Sequence, residues 1–153
     1  MTSAHPLIFI VGPTAVGKSH FALEMAKEFS ATILNCDSVQ LYERLDVGTA
    51  KPSQEERAEA KHVLFDVANP GSVLTAGDYR RLALPVLEKE LREQTVFGVG
   101  GSGFYIQALE KGMFVVDKIE PGKEAEILAR LRSTPLPDLY KSFRASTLPP
   151  PKS

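Results

Sequence analysis

The stretch Leu7 to Ser19, LIFIVGPTAVGKS, constrains the fold of this chain more than any other. Leu7-Ile8-Phe9-Ile10-Val11 is an apolar, largely β-branched and aromatic run that stops at Gly12, the pattern of a short strand buried on both faces of a parallel sheet. Gly12, Pro13, Thr14, Ala15, Val16, Gly17, Lys18 and Ser19 then follow the spacing G-x-x-x-x-G-K-[ST]. Its glycines let the backbone curl so that successive N–H groups point inward at an anion. Lys18 adds a positive charge, Ser19 offers a hydroxyl to Mg²⁺, and the positive end of the next helix faces the same spot. Phe21, Ala22, Met25, Ala26 and Phe29 recur at helical spacing, so the required helix follows. Strand, complete motif and helix in this order predict a phosphate or pyrophosphate site rather than a glycine turn that merely joins two elements.

Charge and cysteine content narrow the partners. The formal net charge is -1, so no global basic field recruits nucleic acid, and a polyanion must be held by a local patch. Cys36 is the only cysteine, which excludes a disulfide framework and a cysteine-cluster zinc site and suits a reducing compartment. No charged-then-apolar leader and no run of membrane-spanning length is present, so the reading is a soluble, cytoplasmic chain without a membrane partner, expected to be a monomer.

Strands and helices alternate along the chain. Ala31–Cys36 reads as a second strand closed by Asp37, and Ser53 with Glu56 has capping-box spacing for a short helix over 54–61. His62–Val67 reads as a third strand, stopped by Asn69-Pro70-Gly71. Thr75 and Asp78 announce a helix to about Gln94 with Leu82, Val86, Leu87 and Leu91 on one face; Pro85 should kink it or delay its start. Thr95–Val99 is a fourth strand, followed by Gly100-Gly101-Ser102-Gly103 and a short helix over 104–111. A helix over 123–132 and a proline-studded tail over 133–153 complete the chain, which divides into a core over 1–119 and a terminal segment over 120–153. The alternation implies a parallel sheet flanked by helices, with ligands at the carboxyl ends of its strands. Gly12–Ser19, Asp37 and Gly100–Tyr105 all follow strand ends and should converge on one rim.

Asp37 opens a polar connection, DSVQLY, that continues through Asp46, Gly48, Thr49, Lys51 and Pro52. A carboxylate at a strand exit can bind Mg²⁺, cap the turn that follows, or act as a general base, and the residues alone leave all three open. The Gly100–Gly103 cluster is either a second anion nest or a tight strand-to-helix turn.

Taken together, GPTAVGKS, DSVQLYERLDVGTAKPS, HVLFDVANP, AGDYRR and GGSGFYIQAL resemble, in order, the tRNA dimethylallyltransferase family from about Ile8 to Gly112. The Asp37-Ser38 pair separates the chain from the related adenylate isopentenyltransferases, which usually carry Asp-Arg there. The resemblance implies a P-loop NTPase-like fold, incomplete relative to the family. It also implies that Gly12–Ser19 holds the diphosphate of dimethylallyl diphosphate with Mg²⁺ on Ser19, and that the N6 of an adenosine next to the anticodon attacks the allylic carbon. Asp37 then occupies the position of the base, and Ser102 stands where the family usually has threonine, with the hydroxyl retained. Asp37, Ser38, Val39, Gln40 and Ser102 would line the path of a tRNA anticodon stem-loop. Tyr42 and Tyr105 are candidates to receive an unstacked base, or core tyrosines; Lys51 assists with phosphate or is an exposed lysine. His62 is expected to satisfy a local hydrogen bond, and Arg80 and Arg81 to lie on a solvated helix face.

Family members are longer. They add a helical tRNA-binding insertion, a return to the central sheet and a basic residue at the diphosphate. Here only Glu124–Phe143 keeps a likeness to the insertion, as in a chain cut at a domain edge, a proteolytic product or a shortened gene. Diphosphate binding is expected to persist and turnover by this chain alone to be weak or absent. The competing readings are a small P-loop kinase or NTPase, which would set Asp66 on Mg²⁺, and a non-catalytic remnant that binds anions or RNA.

Overall fold

The computed structural model describes residues 5–113 and 120–145. It divides into two compact units, Met1–Met113 and Phe114–Ser153. The first unit alternates strands and helices: β1 (Leu7–Val11), α1 (Lys18–Phe29), β2 (Thr32–Asn35), α2 (Gln54–Glu59), β3 (His62–Val63), α3 (Ala76–Glu93), β4 (Val96–Gly100) and α4 (Gly103–Lys111). All strand pairs are parallel and the order is β1-β4-β2-β3.

Successive strand residues point to opposite faces, and two cores result. Ile33, Phe97 and Val99 pack with Ala22, Leu23 and Ala26 of α1. Leu34, Cys36 and Val96 pack on the other face with Tyr79, Ala83 and Leu87 of α3 and Tyr105 of α4. Burial in α1 therefore falls on Ala22, Leu23 and Ala26, whereas Phe21 and Phe29, expected on the inner face, are exposed. α3 opens on the capping box expected from Thr75 and Asp78, and Pro85 lies inside it without delaying its start. Pro85 and Arg81 both face solvent, so water meets the carbonyl that loses its helical partner.

Three expectations need correction. Among the described residues β1 lies at one edge of the sheet, paired with β4 alone, and it is not buried on both faces, since Ile8 and Val11 stay 46% and 59% exposed. The third strand spans only His62–Val63, because Leu64 and Asp66 turn to positive φ (62° and 55°) and the N–H groups of Asp66, Val67 and Ala68 go to the Gln40 and Leu41 carbonyls outside the ladder. The proline-studded tail, for which no helix is expected from the sequence, contains one. In the second unit α5 (Pro121–Ser133) is followed by α6 (Leu136–Ala145), with Asp138 in the first turn of α6 and Arg144 in its last. Pro137 falls at the start of α6, where its missing N–H costs nothing. The terminal prolines 149–151 lie outside the described residues.

Candidate active site

The loop between β1 and α1 is shaped by backbone conformations that few sequences tolerate. Gly17, the N-cap of α1, sits at φ 86°, where a side chain is strained, and Ala15 adopts φ 64° without glycine's help. Lys18 begins α1 and its ammonium donates to the Pro13 carbonyl at 2.6 Å, folding back across the loop. Ser19 follows in the first helical turn.

The exit of β2 is braced on every side. Asp37 is half-buried, and its Oδ1 accepts the Val39 N–H at 2.9 Å, so it does cap the turn; among the described residues its other oxygen has no protein partner. The Ser38 N–H donates to Ser102 Oγ at 2.9 Å, and the Ser102 N–H to the Cys36 carbonyl at 3.2 Å. Gly100 permits this meeting of β2 and β4, because a Cβ there would overlap the carbonyl group of Cys36. Gln40 is buried and its side-chain nitrogen donates to the Thr49 and Ala50 carbonyls at 2.9 and 3.1 Å, tying the turn to the GTAKP loop. Val39 is exposed.

The loop and the turn face one cavity of about 490 Å³. Thr14, Ala15 and Gly17–Ser19 form one wall, Asp37, Gln40, Gly100 and Gly101 another, and Leu23, Ile33, Phe65 and Val99 give it an apolar floor. Of the predicted site residues, Gly12 lines a different, shallower depression with Val11 and Phe104. Ser102 acts at the rim through its bond to Ser38.

Two of the other candidates, Lys51 and His62, line the same cavity, and the rest lie elsewhere. Lys51 is not an exposed lysine: its side chain is 3% exposed and its ammonium bonds to the Tyr42 carbonyl, Asp46 and Asp66 at 2.7–2.8 Å. Asp66, the carboxylate the kinase reading needs for Mg²⁺, is held by Lys51 and Arg57; burial pushes its carboxyl up, but these two cations outweigh that and hold it below its ordinary value. Tyr105 is a core tyrosine stacked on Tyr79 at 4.1 Å, and the Tyr42 hydroxyl accepts the Leu74 N–H at 3.2 Å. Arg80 joins α3 to α4 through the Ala108 carbonyl rather than lying free on a solvated face, and Arg81 pairs with Asp78. His62 satisfies the Ala60 carbonyl through Nδ1 at 2.8 Å, and burial lowers its pKa.

The sequence reading missed two buried polar residues. Asn35 ties the β2 exit to its surroundings, and Glu90 of α3 accepts from Thr32 and pairs with Lys61 at 2.6 Å. Polar residues within an apolar strand and on the apolar side of a helix were the available signals.

A family model described as IPP transferase matches residues 40–146. The tRNA dimethylallyltransferase of Bdellovibrio bacteriovorus is 47% identical over 127 residues, 83% of this chain and 41% of its own length. That of Koribacter versatilis is 43% identical over 129 residues, with the same coverage. The full-length tRNA isopentenylpyrophosphate transferase of Bacillus halodurans superposes with a TM-score of 0.69 at 31% identity, over 91% of this chain and 46% of that one. This chain thus spans about two fifths of the length of the curated relatives it matches. Within that length, it belongs to the IPP transferase family.

Proposed function

We propose that the chain is the diphosphate-binding and proton-accepting part of a tRNA dimethylallyltransferase, with dimethylallyl diphosphate and a tRNA anticodon stem-loop as substrates and the cytoplasm as its compartment. The observation that carries this reading is the single cavity shared by Gly17–Ser19 and Asp37. On this reading the fold is P-loop NTPase-like and residues 1–119 form the catalytic core. The loop amides and Lys18 meet the charge that grows on the leaving diphosphate. The lone pair of the adenosine N6 forms the bond to the allylic carbon and the carbon–oxygen bond to diphosphate breaks. Pyrophosphate leaves with the electron pair, and the N6 proton passes to the unengaged oxygen of Asp37. Ser102 holds the Asp37–Val39 turn in place and has a hydroxyl proton left to donate; Ser38, Val39 and Gln40 border the path of the incoming base.

Among the described residues no group of three or more His, Cys, Asp or Glu side chains converges as a metal site. Mg²⁺ typically takes few protein ligands and several substrate oxygens, so Ser19 together with a bound diphosphate suits it. When bound, the ion neutralises developing phosphate charge. The exposed flank of β1 supports the expectation that further chain completes the sheet and the diphosphate site. Substituting Asp37→Asn in a complete transferase carrying this sequence should lower transfer to an anticodon stem-loop by ~10²–10⁴-fold and leave pyrophosphate affinity within about twofold. Retained transfer would remove Asp37 as the base, and collapsed affinity would make it a metal ligand or a structural cap.

A further inference from the structure

The last residue of β2, Asn35, is fully buried and uses its side-chain amide on both main-chain groups of Asp37. Its Oδ1 accepts the Asp37 N–H at 2.8 Å, and its Nδ2 donates to the Asp37 carbonyl at 3.2 Å and to the Leu64 carbonyl at 2.9 Å. With the amide turned over, donors would face an N–H and an oxygen would face two carbonyls, so the pattern admits one orientation. The carbonyl of Asn35 itself accepts the Tyr79 hydroxyl at 2.7 Å, which anchors the residue to α3. The sheet ladder ends here: the Cys36 N–H still reaches Val99 of β4, and the Asp37 N–H finds the Asn35 side chain.

We infer that Asn35 is a positioning residue that sets the direction of the Asp37 carboxylate. The inference rests on the proposed role of Asp37. With its N–H and its carbonyl both held, Asp37 has the peptide units on either side of its Cα fixed, and the Val39 and Ser102 bonds fix the next links of the same turn. Few other side chains fit. An aliphatic group leaves one donor and two acceptors of the main chain unsatisfied, and a carboxylate sets negative charge against two carbonyl oxygens. A protonated carboxylic acid reproduces the acceptor and one donor of the amide.

That last property supplies the test. In Asn35→Asp the amide-like state exists only while the new carboxyl is protonated. Backbone NMR of the variant over a falling pH series should show the Asp37 and Val39 amide shifts returning to those of the parent chain. Raising the pH should move both and lower their hydrogen-exchange protection by about tenfold or more. Inorganic pyrophosphate affinity, measured at each pH, should stay within about twofold of the parent, because the β1–α1 loop makes no bond to Asn35. Asn35→Ser, which brings no charge, should show the displaced Asp37 and Val39 amides at every pH, and it serves if Asn35→Asp unfolds when ionised. Unchanged Asp37 and Val39 amides in both variants, or protection lost equally throughout the sheet, would overturn the inference. Failure of the base assignment reads out separately: displaced amides with full transfer in the complete enzyme would retain Asn35 as a lock on Asp37 and remove Asp37 from the chemistry.

Discussion

The two walls of the cavity are built on opposite principles. The loop wall, Thr14–Ser19, is largely exposed, with the Lys18 ammonium resting on the loop's own Pro13 carbonyl. The turn wall, Asp37–Gln40, is fastened to Leu64 just past β3, to Ser102 at the start of α4 and to the 49–50 segment, through Asn35, Ser102 and Gln40. A diphosphate brings its own charge and can organise flexible donors around itself. A neutral amine brings nothing comparable, so the group that takes its proton must already point the right way. The anion side can therefore be loose, whereas the base side is built rigid.

The sharpest way to break this contrast is to add one methyl group to each wall. At Gly100 it would strike the Cys36 backbone, and Gly100→Ala should cost about 3 kcal/mol or more in a urea melt. At Gly17 nothing lies within 4 Å, so Gly17→Ala should cost only the left-handed strain, about 1–2 kcal/mol. Equal losses would erase the distinction. Removing the charge comes next: Lys18→Ala should weaken pyrophosphate binding ~10- to 100-fold by titration calorimetry, with the melt unchanged. Ser102→Ala should do the reverse, costing about 1 kcal/mol of stability by leaving the Ser38 N–H without its acceptor while pyrophosphate binding holds.

The smallest effect comes from the far end of the sheet, where β2 begins. Burial raises the Glu90 carboxyl, but the Lys61 ammonium and the Thr32 hydroxyl outweigh it and hold the pKa below its ordinary 4.5. The unfolded chain therefore takes up this proton first as pH falls. The contribution is complete above about pH 4.5 and disappears as pH drops through the lower folded value. Glu90→Gln should flatten that part of the acid stability curve and leave pyrophosphate binding near neutral pH untouched.

Much of this was legible in the residues, for reasons that differ by region. The loop motif, the Thr75–Asp78 cap and the alternation of elements are local patterns, and local physics sets them. Asp37 and Ser102 lie far apart in sequence yet both follow strand ends, which predicts the same rim in any parallel sheet. The burial of Lys51 is not legible in the residues, because its acceptors, Asp46, Asp66 and the Tyr42 carbonyl, meet only after the 40–66 connection folds. Composition likewise made β1 an interior strand, since LIFIV says how apolar a strand is and not how many neighbours it has. Helix α6 is hard to read in advance because its first turn sits among Pro135 and Pro137, and prolines mark a helix start as well as a helix end.

The bare flank of β1 has a practical consequence. Main-chain donors and acceptors beside Ile8 and Val11 offer a template to any extended peptide that drifts past, and this flank carries no charged side chain between Leu7 and Val11 to repel one. Preparations of these residues alone should turn cloudy with concentration well before the fold itself gives way, and a short apolar peptide added in trans should clear them.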